Sequence, residues 1–108
     1  MIHEMRVYRC LPGRLPALLK RFETTTLKVW AKHSIRQAGF WTTVVGESNR
    51  DLTYLIAWES MGERDKKWAA FLSDPEWIAG RDASEKDGLI VENVSNQFLA
   101  PTAFSSVK

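Results

Sequence analysis

Ile2-His3-Glu4-Met5-Arg6-Val7-Tyr8-Arg9-Cys10 is the stretch that decides the fold. It alternates Ile2/Glu4/Arg6/Tyr8 with His3/Met5/Val7/Arg9, the pattern of a strand whose two faces meet different surroundings. Leu11-Pro12-Gly13 ends that period. From Arg14 onward Leu15, Leu18, Leu19, Phe22, Val29 and Trp30 recur at helical spacing, which predicts a long amphipathic helix to about His33. Lys20, Arg21, Glu23 and Lys28 fall largely outside its apolar stripe, and Thr24 to Thr26 weaken it locally.

Further along, Gly39 to Gly46 carries Phe40, Trp41, Thr42, Thr43, Val44 and Val45, and Glu47 to Asp51 supplies turn residues before Leu52 to Trp58. This predicts a hairpin. Ser60 with Glu63 is a capping-box signature for a helix through Trp68, Phe71 and Leu72, and Asp74-Pro75-Glu76 starts a second helix, so a break falls near Ser73. Leu89 to Leu99 makes a last strand before Pro101 stops it.

The order strand, helix, strand, strand, helix pair, strand is the split βαβ arrangement of an α+β, ferredoxin-like fold with a four-stranded antiparallel sheet. Two helices cover one face of such a sheet. The alternation is read as placing Tyr8, Trp41, Tyr54 and Trp58 on the other face, where three such rings represent about 11–19 kcal/mol of burial at ~25 cal/mol per Å². A second sheet from a homodimer partner is the expected cover.

Composition sets the class. The chain has 108 residues, 44% hydrophobic and 26% charged, which predicts one domain spanning 1–108. Fifteen basic and thirteen acidic residues leave a net charge of +2 with no basic block, so neither nucleic acid nor an anionic membrane is the expected partner. Cys10 is the only cysteine, excluding an internal disulfide and fitting a reducing cytoplasm. The first ten residues alternate rather than forming a continuous apolar run, so no signal peptide is expected, and no stretch approaches a membrane span of ~18 apolar residues.

Spread along the chain, Glu4-x-Arg6-x-Tyr8, Pro12-Gly13, Gly39-Phe40-Trp41-Thr42-Thr43 with Gly46, Ala57-Trp58-Glu59-Ser60 with Arg64, Asp74-Pro75-Glu76-Trp77, and Asn96 with Leu99, Pro101-Thr102 and Phe104-Ser105 form one ordered set. In that order and spacing the chain resembles the NIPSNAP family. The resemblance implies a dimeric α+β barrel, two ferredoxin-like units packed sheet to sheet, and a fold similar to cofactor-independent monooxygenases and isomerases, with no common reaction attached to the family. Family members often carry histidine near the position of Tyr54, so a role for that imidazole does not transfer to this chain.

Candidate chemistry starts at Glu4, Arg6 and Tyr8, which project from one strand face. Arg6 can anchor a carboxylate or enolate, Tyr8 can donate from its phenol, and Glu4 can act as a base or as the partner of Arg6; a buried Glu4–Arg6 pair that touches no ligand is the other reading. His33, at the end of the long helix, is a candidate general acid or base or an exposed helix-end cap. Trp41, Tyr54, Trp58 and Asn96 are candidate ligand-binding residues, with core packing and backbone satisfaction as the alternatives. Two isolated histidines make no metal site, and no P-loop, Rossmann fingerprint or Ser-His-Asp order supports a cofactor or a hydrolytic triad. The expected function is therefore a homodimer binding a small apolar or aromatic molecule in a barrel pocket, with isomerase or monooxygenase chemistry open; a non-catalytic interaction module is the alternative.

Overall fold

The computed structural model describes residues 1–108. Strand β1 (Ile2–Cys10) runs through the middle of the sheet and pairs antiparallel with β3 (Asp51–Trp58) on one side and β4 (Val91–Leu99) on the other, while β2 (Arg36–Thr42) flanks β3. The spatial order β2-β3-β1-β4 is that of the split βαβ arrangement. Helices α1 (Leu15–Arg21) and α2 (Leu27–Lys32) are joined without a break by a π turn at Phe22–Thr26, and α3 (Met61–Leu72) and α4 (Pro75–Ser84) meet at Ser73.

The sheet is open. Strands β2 and β4 are its edges and nothing joins them, which corrects the expected dimeric α+β barrel. Closure takes about eight strands, and this chain supplies four in a single layer.

Local chemistry explains the helix boundaries. Ser60 Oγ accepts from the Glu63 amide at 3.1 Å, and the Glu63 carboxylate reaches back one residue further than a standard capping box, to the Glu59 amide at 3.2 Å. Asp74 accepts from the Glu76 amide at 2.8 Å with Pro75 in the first helical position. In the π turn the Thr24 hydroxyl donates to the Lys20 carbonyl at 2.8 Å and the Leu27 amide reaches back five residues to Phe22, so the threonine run widens the helix rather than ending it. Hairpin strand β2 begins earlier and ends sooner than expected, leaving Val44 and Val45 in the turn, each 94% exposed.

The register also corrects the assignment of faces. Leu52, Tyr54, Ile56 and Trp58 of β3 share a face with Glu4, Tyr8 and Cys10 of β1, and that face is the one under the helices. Tyr8, Tyr54, Phe22, Phe40 and Trp30 form one aromatic cluster with ring centroids 4.8–6.1 Å apart. Alternation divides a strand into two sets without saying which set the helices cover. Of the aromatic side chains expected on the uncovered face, Trp41 alone is there, opposite Thr53 and lying over Gly39. A Cβ at Gly39, whose φ is +129°, would meet the Trp41 ring at 2.5 Å, so the glycine serves both the bulge and the indole. At the far end of the same face the segment after β4 folds back, its Pro101, Thr102 and Val107 lining a cavity with His3 and Leu55.

Candidate functional site

Beneath the helices β1 supplies Glu4, Arg6 and Tyr8, β3 supplies Tyr54 and Trp58, and α3 reaches down with Arg64 and Trp68, while Asn96 joins them from the exposed edge strand β4. Glu4 is fully buried and accepts five hydrogen bonds. Its Oε1 takes Trp58 Nε1 and Arg64 Nε, both at 3.1 Å, and its Oε2 takes Arg6 Nη1 at 3.0 Å, Arg64 Nη2 at 3.2 Å and Asn96 Nδ2 at 2.9 Å. A carboxylate offers about four lone-pair positions, so none is left for a proton in transit. Burial pushes the acid upward in pKa, but the bonds from Arg64, Asn96 and Arg6 outweigh it and hold Glu4 below its ordinary 4.5.

Arg6 engages all three of its side-chain nitrogens. Besides Glu4 it donates from Nε to Tyr54 Oη at 2.9 Å and from Nη2 to Tyr8 Oη at 3.3 Å, and its guanidinium lies 4.7 Å from the centre of the Trp68 ring. Burial works against its charge, yet Tyr8, Tyr54 and Glu4 more than restore it, so the group stays protonated. Burial, with Tyr8 beside it, lifts the Tyr54 phenol well above its usual range and keeps it neutral. Arg64 stacks against Trp68 and Phe98 at about the same distance, 5.5 and 5.4 Å.

The fold thus gathers Glu4, Arg6, Tyr8, Tyr54, Trp58 and Asn96 into one network facing the helices, where the sequence reading had Tyr8, Tyr54 and Trp58 facing a barrel. Two candidates lie elsewhere. His33 caps α2 and meets Asp74 Oδ2 at 2.7 Å, an oxygen that also takes Lys32 Nζ; Lys32 and then His33 hold the Asp74 carboxyl well below the usual range. Trp41 is 52% exposed on the opposite face of the sheet. Arg64 is the network member that sequence reasoning omitted from the site. Its spacing of four residues from Trp68 on one helix face was the available signal.

A separate cleft opens where the π turn passes β2 and β3. Leu19, Phe22, Leu27, Phe40 and Leu52 line about 320 Å³, and Glu23 at the rim is its only titratable group. Phe22 and Phe40 meet edge-on at 5.3 Å, and Phe40 stacks at 4.8 Å on Tyr54, whose hydroxyl belongs to the Arg6 network. The phenylalanines of the cleft therefore rest directly on the tyrosines of the polar network, Phe22 touching Tyr54 and Tyr8 as well. Leu19 and Phe22 read as core stripe in the sequence; Phe22 is indeed in the core, while Leu19 stands 38% exposed at the cleft.

An uncharacterized NIPSNAP domain protein from Burkholderia xenovorans is 27% identical to this chain, with 97% of this chain and 98% of that one covered and a TM-score of 0.83. A NIPSNAP family protein of unknown function from Agrobacterium tumefaciens is 26% identical over 100% of this chain and 94% of its own, with a TM-score of 0.87. A candidate antibiotic biosynthesis monooxygenase from Nitrosomonas europaea shares the fold alone, at 10% identity, TM-score 0.63, and coverage of 94% and 98%. No match is found among proteins of curated function. The NIPSNAP family model aligns with residues 3–106, and on that extent the chain belongs to the NIPSNAP family.

Proposed function

We propose that this protein binds a small apolar or aromatic molecule in the cleft between the π turn and strands β2 and β3. What supports the reading is the cleft itself, with five apolar side chains around about 320 Å³, two of them phenylalanines in edge contact. A widened helical turn forms its wall, a feature that recurs at functional sites. Isomerase or monooxygenase chemistry there would need a base facing the cleft; Glu4 is saturated, His33 is held by Asp74, and Glu23 is the one acid at the rim. Binding is accordingly the reading the geometry favours. Titration of small aromatic fragments, followed by backbone amide shifts, should perturb Leu19, Leu27 and Phe40, and Leu19→Trp should fill the mouth and abolish the effect. Fragments that leave those amides unmoved, or that bind the Trp variant equally well, end the proposal.

The uncovered sheet face favours a second reading, self-association. Trp41 is half-exposed there, and Leu99, on the same face, is 40% exposed. Light scattering should give twice the chain mass for the native protein, and Trp41→Asp should return the chain mass. A native protein that scatters as one chain at every concentration rejects this reading.

A further inference from the structure

On the other side of α1 from the apolar cleft lies a cavity of about 380 Å³, bounded by α1, the π turn, and α4 with the turn that follows it. Arg21 is 7% exposed in its wall, and the guanidinium lacks the partners that burial normally demands. Its Nε is buried with no hydrogen-bond partner, its Nη1 reaches Ser84 Oγ at a long 3.4 Å, and it joins no ion pair. The only other support is the Trp77 ring, 5.3 Å from the guanidinium carbon. Burial pulls the group below its ordinary pKa, with Tyr8 and Glu85 acting in the opposite sense.

The rest of the lining carries the same charge. Arg14, Lys20 and Lys86 join Arg21 around the cavity against one carboxylate, Asp87, so four cationic groups face one anionic group. Arg14 is itself fixed by the carbonyls of Gly88 at 3.0 Å, Leu89 at 3.2 Å and Ser84 at 3.4 Å, which hold a charged fork in place without neutralising it. Thr25 closes one end by packing on Gly80, where any added Cβ would collide with it. A permanent, nearly dry guanidinium with an idle N–H, set in an excess of positive charge, is the complement of an oxyanion.

We propose that this cavity binds the carboxylate or phosphate group of a small acid, with Arg21 as the central contact and Arg14, Lys20 and Lys86 as the surrounding charge. The site is distinct from the apolar cleft, and neither reading requires the other. The test is calorimetric titration of the whole chain in low-salt buffer with inorganic phosphate in one arm and succinate in the other, up to about 50 mM. Saturable binding in one or both arms is expected, and the arm with the lower Kd identifies the head group. Arg21→Met should weaken it by about tenfold or more, and Lys20→Gln by a few fold. Absence of saturation in both arms, or equal affinity of Arg21→Met, overturns the proposal. A readout that needs no variant is the Arg21 Nε–Hε resonance of the native protein, which should move on titration; a resonance that stays fixed while other amides saturate also overturns it.

Discussion

Arg6 and Arg21 are both buried guanidiniums, and the fold treats them in opposite ways. Every side-chain nitrogen of Arg6 donates to a side-chain oxygen, two of the three on fully buried residues, and its charge is answered by Glu4 at 3.0 Å. Arg21 has one long bond to a hydroxyl and no carboxylate. Burial alone does not say whether a charge belongs to the architecture or waits for something from outside; its list of partners does.

The largest effect is expected where the partnered cluster loses its centre. Glu4→Ala leaves Arg6 and Arg64 facing each other without an anion and should cost about 3–5 kcal/mol in urea unfolding. A loss under ~1 kcal/mol would show that water replaces the carboxylate and would erase the contrast with Arg21. Asn96→Ala removes one of five donors from the same carboxylate, from an exposed strand, and should cost about 0.5–1.5 kcal/mol.

Acid should separate the two regions next. Glu4 and Asp74 both have folded pKa values below their ordinary ones, so each is protonated more readily when unfolded and its stabilisation is complete only above the unfolded values of about 4. Stability should fall as pH drops from ~5 through those values toward the folded ones, and Glu4→Gln should flatten the slope while Arg21→Met leaves it unchanged. Equal slopes for native protein and Glu4→Gln would remove Glu4 from the acid response. The smallest effect belongs to Arg21→Met, which discards an unanswered charge and keeps an apolar stem over Trp77; a change within about 1 kcal/mol of zero, of either sign, is expected. A loss like that of Glu4→Ala would mean that Arg21 is structural after all.

Much of this contrast was hidden in the sequence for identifiable reasons. The caps at Ser60 and Asp74 and the split at Ser73 are local signals, and they lie where their chemistry placed them. The strand order follows from the element order, yet the face under the helices does not follow from alternation. A comparison of Leu52/Tyr54/Ile56/Trp58 with Asp51/Thr53/Leu55/Ala57 was the usable clue, because helices settle on the more apolar set. Barrel closure came with the resemblance, and the open edges of β2 and β4 correct it. Arg21 reads as a solvated residue beside the helical stripe; α4 packs on that flank, an event decided some sixty residues later in the chain.

The wide turn at Phe22–Thr26 also sets the phase of everything after it in that helix. It houses one residue more than a regular turn, so forcing the same residues into a regular helix would swing Val29 and Trp30 about 100° around the axis, whereas deleting a single threonine would regularise the turn and leave their direction nearly unchanged. Trp30 contacts Phe22, Phe40, Tyr54, Trp68 and Phe71, and all five contacts depend on that angular offset. The widened turn in effect absorbs the extra residue and keeps the central indole aimed at the sheet.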